Sequence, residues 1–314
     1  MHWKLKSAIQ NTLSFLPSSA SYAAYYQVQR RFGGLRQVNP TINLRAGVET
    51  WQQIIEQNYD PVNKVFFEVG TGRATIMPLA YWLMGAKRVV TVDANPYVRE
   101  ELIAEHIKYM VTRQSEIKAI FGSLLDRQRF AELLDFSKKK FSLNKFFNLC
   151  QIEYLAPADA SATNLPAKSI DFHTSFTVFE HIPAEVLKQI LQEGNRIISD
   201  NGLFVHRIDY SDHFSHSDPN ISAINFLQYS DEEWSKYAGN RYMYMNRLRH
   251  DDFIDLFKSV EHLIIKSKTY ISHRSQELLQ NKAIALDPKF EAKPKEVLSI
   301  ASSWIISQKN KPNF

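Results

Sequence analysis

Lys64-Val65-Phe66-Phe67-Glu68-Val69-Gly70-Thr71-Gly72-Arg73-Ala74 is the stretch that decides how this chain folds. Val65 to Val69 is a short, almost continuously apolar run with one acid near its end. A glycine-rich turn follows, and Ala74 to Met84 reads as a helix. Arg88 to Val92 is a second β-rich run, closed by Asp93, and Pro96 suits the first turn of another helix reaching to about Met110. Continuous apolar strands alternating with helices predict a parallel sheet covered on both faces. Gly70 and Gly72 let the backbone turn tightly and come close to a ligand. The helix after them aims its free N–H groups at that ligand. A glycine turn alone is equally a plain structural turn. A nicotinamide-dinucleotide fold would place a third glycine where Thr75 stands.

Moving outward, Asp93 lies 25 residues after Glu68, where a carboxylate accepts hydrogen bonds from both hydroxyls of a ribose. Asp159, with Ala160 beside it, follows a third strand candidate at Gln151 to Ala156. Ile170 to Ser175 and Leu203 to Ile208 read as the fourth and fifth strands. Ala184 to Ile198 is an amphipathic helix between them, with Asn201-Gly202 suited to its stop. Asp251 to Phe257 reads as a helix, and Val260 to Tyr270 and Leu298 to Ser307 as an antiparallel closing pair.

Glu68-x-Gly70-x-Gly72-x-Ala74, Asp93, Asp159-Ala160 and Asp171 to His181 together resemble the successive motifs of class I S-adenosylmethionine-dependent methyltransferases. Asp159 to Pro166, Ser169-Ile170-Asp171 and Phe179-Glu180-His181-Ile182 are similar to the quinone-biosynthesis-type small-molecule branch. The resemblance covers about residues 64–208. It implies a Rossmann-like, mostly parallel seven-stranded sheet with helices on both faces, and S-adenosyl-L-methionine as methyl donor. It places Glu68 near the methionine amino group, Gly70 and Gly72 along methionine and ribose, and Asp93 on the ribose hydroxyls. Ala94 or Asn95 would lie against the adenine. Asp159 and the Ala160 N–H would read the adenine edge, and Ser175, Phe176 and Thr177 would close the floor. Ala74 departs from the pattern, standing where many members have glycine.

Methyl transfer needs a nucleophile in line with the sulfonium methyl and exclusion of water. An oxygen nucleophile of high pKa also needs a base. His181, at the carboxyl edge after the fourth strand, is the first candidate; alternatively, Glu180 and His181 merely orient the loop before Pro183. His206, Asp209, Asp212, His213 and His216 leave the end of the fifth strand, and His206 and His213 are further candidates. Such residues can bind a divalent metal, hold a polar substrate, supply the base or form surface hydrogen bonds. Loop spacing is no ligand code, so no metal is assigned. The same stretch carries Tyr210, Phe214, Phe226, Tyr229, Trp234, Tyr237, Tyr242 and Tyr244 with Arg241, Arg247 and Arg249. These could close over a ring, a sugar or an anionic group, or pack a core of their own.

Residues 1–63 form a helical lead-in and lid candidate. Residues 64–314 form the methyltransferase domain, with insertions at about 111–149 and 209–247; the second insertion and the N-terminal helices are expected to form the acceptor lid. Leu5, Ile9, Leu13 and Leu16 recur at helical spacing. That face would pack on the protein's body or lie on a membrane surface. Gln10, Asn11 and Thr12 make the segment a poor signal sequence. Hydrophobic residues are 44% and charged residues 23%, ordinary for a folded protein, and the net charge of +5 (pI ≈ 9.0) is mild at this length. Lys138 to Lys140 reads as a solvated helix end. Ser175-Phe176-Thr177-Val178 stands where a base-flipping enzyme would carry an Asn-Pro-Pro-Tyr-type motif, so the acceptor is expected to be a small molecule and not nucleic acid. Cys150 is the single cysteine and reads as a buried structural thiol, which with the lack of a long apolar stretch fits a reducing, cytoplasmic setting. Two other readings are a non-catalytic donor-binding scaffold of the same fold and, against the glycine spacing, an NAD-dependent oxidoreductase.

Overall fold

A computed structural model describes residues 1–310; the last four residues of the 64–314 span lie outside it. Among the described residues seven strands form one sheet: β1 (Val65–Val69), β2 (Arg88–Val92), β3 (Ile152–Leu155), β4 (Ile170–Phe176), β5 (Ile198–Asp209), β6 (His262–Ile271) and β7 (Ile300–Lys309). Their order is β3-β2-β1-β4-β5-β7-β6, and only β7 runs antiparallel to its neighbours. The order reverses between β1 and β4, the switch point at which open α/β sheets bind ligands.

The strands read as unbroken apolar runs because both faces are buried. Phe66, Val89, Ile152, Phe172 and Leu203 enter one core. It is covered by α3 (Thr41–Ile55), α4 (Ile76–Leu83), α5 (Glu100–Thr112), α6 (Gln114–Phe121), α7 (Arg127–Ser137) and α8 (Leu143–Cys150). Trp51 of α3 stacks on Phe66 with the rings 5.5 Å apart. Phe67, Val90, Val92, Phe204 and Ile208 enter the other core, beneath α9 (Ala184–Ile197) and α11 (His250–Ser259). The alternation along each strand sorts neighbours onto opposite faces. Cys150 is fully buried.

Three boundaries differ from the expectation. The α4 helix begins at Ile76 and not at Ala74, because the glycine turn carries on through Thr75. The α5 helix begins at Glu100, and Pro96 lies in the loop before it, where Arg99 N–H donates to the Arg73 carbonyl. Asn201-Gly202 does not stop α9; the chain passes directly into β5 at Ile198. Gly202 lies where the pairing with β4 shifts register, and a Cβ there would meet the Asp171 carbonyl oxygen at 2.7 Å. The glycine serves close strand approach.

A third cluster is built from the stretch after β5. Phe214, Phe226 and Trp234 of α10 (Asp231–Ala238) gather round Trp3 of α1 (Trp3–Ser14). Segments between β6 and β7, namely α12 (His273–Gln280), α13 (Pro288–Glu291) and α14 (Lys295–Ser299), add Leu279, Phe290 and Leu298. Insertion of Trp3 fixes the rotation of α1, and the outcome divides its face. Trp3, Ser7 and Gln10 are buried, while Leu5 is 55% and Leu16 41% exposed. Ser7 Oγ donates to the Tyr237 carbonyl at 2.7 Å, so the polar residues find partners inside. The apolar stripe read from spacing is therefore split: Leu5 and Leu16 face outward, while Ile9 and Leu13 are half-buried. No helix among the described residues is long and apolar enough to cross a membrane.

Candidate active site

A cleft of about 890 Å³ opens at the carboxyl ends of β1, β2 and β4. Gly70, Gly72, Asp93, Ala94, Asn95, Asp159, Ala160 and His181 line it, as expected of them. Gly70 and Gly72 adopt φ of +92° and +68°, a region that side-chain-bearing residues rarely occupy. Gly70 has a second reason to lack a side chain: a Cβ would lie 2.5 Å from Cγ2 of Val178.

The turn is held by its own acids. Asp93 Oδ2 accepts from the Gly72 N–H and Oδ1 from the Asn95 N–H, both at 3.0 Å. Burial pushes its carboxyl above the usual range, and these two bonds oppose the shift. Lone pairs remain on both oxygens for hydroxyl groups. Glu68 lies beneath the turn and does not line the cleft. Its Oε2 accepts from Thr91 Oγ1 at 2.7 Å, and Thr91 Oγ1 meets Thr71 Oγ1 at 2.6 Å. Burial raises Glu68 to about 8, against the Thr91 hydrogen bond that lowers it. Asp159 is exposed at the far side, its Oδ1 accepting from Ser161 N–H and Oγ at 2.8 and 2.7 Å.

Ser175, Phe176 and His206 are turned away from the cleft, which corrects three expectations. Ser175 Oγ and His206 Nδ1 are 2.8 Å apart inside the sheet, and both residues are fully buried. The His206 ring stacks on Phe179 at 4.3 Å, and burial drives its pKa well below the ordinary value. It has no route to a substrate. Phe176 packs edge-on against Trp304 at 5.7 Å. Alternation along β4 and β5 sends these side chains to the sheet faces, while the cleft lies at the strand ends. Val178 closes the floor instead.

His181 does reach the cleft. Its Nδ1 lies 2.8 Å from the Tyr244 carbonyl oxygen, so Nδ1 carries the proton and Nε2 keeps its lone pair. Burial lowers its pKa to about 4, with the neighbouring His213 acting in the same sense. The His213 ring is 4.8 Å from that of His181, and its Nε2 is 3.4 Å from Asp209 Oδ2. Asp212 is spent elsewhere: it accepts from Phe214 N–H and Asn225 Nδ2, each at 2.8 Å.

The stretch after β5 divides. Arg241, Tyr242 and Tyr244 line the cleft, and Tyr242 stacks on Tyr25 of α2 (Ser18–Phe32) at 4.1 Å. Arg247 and Arg249, named as candidates for an anion, are buried and donate to backbone carbonyls. Arg247 serves Phe226 and Tyr229, and Arg249 serves Tyr210, Leu298 and Ile300. Asn246 escaped the sequence reading. Its Nδ2 donates to the carbonyls of Phe179 at 2.9 Å and Ile182 at 2.8 Å, clamping the turn that carries Glu180 and His181. Only a contact across more than sixty residues shows this role.

With this geometry in place, residues 129–206 match the family described as "Methyltransferase domain". No curated protein matches the chain. Solved structures with a similar fold include an S-adenosylmethionine-dependent methyltransferase from Clostridium acetobutylicum ATCC 824, 12% identical, covering 92% of this chain and 99% of that one with a TM-score of 0.46. Another is a geranyl diphosphate C-methyltransferase from Streptomyces coelicolor A3(2), in complex with Mg2+, geranyl diphosphate and S-adenosyl-L-homocysteine. It is 8% identical, covering 84% and 79%, with a TM-score of 0.47. A third, from Methanosarcina mazei, is described as an S-adenosylmethionine-dependent methyltransferase; it is 14% identical, covering 81% and 96%, with a TM-score of 0.45. The domain match, the sheet order and the glycine turn at its switch point identify a methyltransferase of Rossmann-like fold, with S-adenosylmethionine as its methyl donor.

Proposed function

We propose that the enzyme methylates an oxygen of a small-molecule acceptor, with His181 as the base and the donor bound along Gly70, Gly72, Asp93, Ala94, Asn95, Asp159 and Ala160. The observation that carries this reading is the His181 Nε2 lone pair. It is presented at the cleft on the same floor as the glycine turn, with its tautomer set by the Tyr244 carbonyl. Asp93 receives the ribose hydroxyls, and Asp159 with the Ala160 N–H receives the adenine edge. Glu68 acts from beneath, and the donor's cationic amino group would draw its carboxyl back to the ionised form. Tyr242 and Tyr244 present flat faces suited to a ring, in keeping with an acceptor of the quinone-precursor kind. His181→Ala is expected to lower turnover by roughly 100- to 10,000-fold. Affinity for S-adenosylhomocysteine, measured by calorimetry, should stay within about twofold, since one lost contact at the acceptor end removes little donor binding. Near-normal turnover would end the assignment of the base, and absence of product binding would end the donor reading.

We also propose that the outward face of α1 rests on an anionic membrane surface. Leu5 on α1, Met1 before it and Phe15 and Leu16 just after it are 41–88% exposed. Six lysines and arginines, and no Asp or Glu, precede Glu49. Exposed apolar side chains on a stretch of net positive charge suit acidic lipid headgroups. The protein should float with phosphatidylglycerol vesicles and not with phosphatidylcholine vesicles, and Phe15→Asp should reduce flotation several-fold. Equal recovery with both lipids, or concentration-dependent dimerisation abolished by Phe15→Asp, would replace the membrane with another partner.

A further inference from the structure

The turn after β4 buries a carboxylate that has nothing to bond. Glu180 is 2% exposed, and neither of its side-chain oxygens has a hydrogen-bond partner. Desolvating a carboxylate without compensation is costly, and native folds seldom leave one so. What faces it is a set of further ligand-type atoms. His213 Nε2, itself without a hydrogen bond, is 4.0 Å from Glu180 Oε1 and 3.4 Å from Asp209 Oδ2. His216 Nε2 is 3.8 Å from the same Asp209 oxygen and 2.9 Å from Ser211 Oγ, a hydrogen bond that an ion would replace. The donor atoms of Asp209, His213 and His216 all lie within 4.8 Å of one another, and Glu180 forms a second such group with His181 and the shared His213.

The outer contacts aim these atoms. Asp209 Oδ1 accepts from Ser211 N–H at 2.8 Å and from Ser211 Oγ at 2.6 Å, which leaves Oδ2 turned to the two imidazoles. The Glu180 backbone carbonyl is pinned by the Asn246 N–H at 2.9 Å. Such second contacts orient ligands in metal sites. We propose that Asp209, His213 and His216, with Glu180 as a fourth ligand, bind one divalent first-row transition ion. Two imidazoles with carboxylates suit Mn2+, Fe2+ or Zn2+, whereas Ca2+ takes six to eight oxygens. Bringing the Asp209, His213 and His216 atoms onto one ion needs inward movements of about an ångström, because metal–nitrogen and metal–oxygen bonds are about 2.0–2.2 Å.

The site adjoins the cleft through His181. His213 and His181 are ring neighbours, and His181 lines the cleft. Resting on the oxygen-methylation reading above, an ion here would fix His213 against His181 and so orient the proposed base at the acceptor end of the cleft.

The test uses the full chain, stripped with a chelator and titrated with Mn2+ or Zn2+ by calorimetry. One ion per chain is expected. Asp209→Asn and Glu180→Gln should each weaken it at least tenfold. His216→Ala should do the same, and because His216 is largely exposed this variant keeps the fold. S-adenosylhomocysteine affinity, read on the same samples, should not move in any of them. Saturable binding that is equal in the wild type and in His216→Ala and Asp209→Asn would overturn the site. So would no saturable binding to protein that still binds S-adenosylhomocysteine, Glu180 then being a neutral acid. Ion binding without product binding would leave the site standing and remove the donor reading instead.

Discussion

The two halves of the carboxyl edge are finished to different degrees. At the β1–β2 half, Asp93 has both oxygens on backbone N–H groups, and Glu68 is tied through Thr91 to the turn above it. At the β4–β5 half, Glu180 has neither oxygen bonded and His213 Nε2 has no hydrogen bond. The first half is a preformed socket, rigid before anything binds and suited to one unchanging ligand. The second carries unmet bonding capacity, which suits a partner that arrives with the reaction. A donor shared by a whole class and an acceptor particular to one enzyme would leave this difference.

The largest test of the contrast strikes the preformed half. Gly70→Val places a β-branched side chain at φ of +92° and against Val178, so donor affinity should fall on the order of 100-fold. Calorimetry with S-adenosylhomocysteine reads this, and a loss under about threefold would show that the turn is not the socket. Next comes the unfinished half. Asn246→Ala frees the Phe179–Ile182 turn and should lower kcat by about tenfold while donor affinity holds. Here Asn246 acts as a positioning residue, and equal losses in donor affinity and kcat would mark it as merely structural. The smallest effect belongs to the sheet interior between the halves. His173 is fully buried, and desolvation lowers its pKa to about 3. Between that value and the unfolded value near 6.5, the unfolded chain binds the extra proton. Stability from this group is therefore intact above pH 6.5 and is lost as pH falls, by about 1 kcal/mol at pH 5.5. Glu68, raised to about 8, acts oppositely: it adds stability at low pH that is lost as pH rises through 8. The measurement is thus differential. Chemical unfolding of His173→Phe should show a shallower loss between pH 7 and 5.5 than the wild type, and identical slopes would refute the assignment.

Legibility in the sequence follows the same division. The donor half rests on short-range bonds: Asn95 N–H reaches Asp93 across two residues, and Thr91 reaches Glu68 across 23. Motif spacing carries such contacts directly, which is why Gly70, Gly72, Asp93 and Asp159 come together along one cleft. The acceptor half is assembled from afar. The carbonyl that sets the His181 tautomer is 63 residues away, and the Asn246 clamp spans 64 and 67. His206 shows the limit from the other side. Its place after a strand candidate suggested the edge, yet one residue of alternation turns it into the core.

Short unbroken apolar runs and the acids at their ends were enough, by themselves, to determine a parallel sheet with a cleft at its carboxyl edge, because backbone hydrogen bonding and burial act on neighbours along the chain. Tertiary structure alone decided which way each side chain of the later segments points. Trp3 split the apolar stripe of α1, and packing of the stretch after β5 consumed Arg247 and Arg249 while bringing His213 beside Glu180. Such choices depend on which large side chain fills a shared core, and no local pattern records that competition.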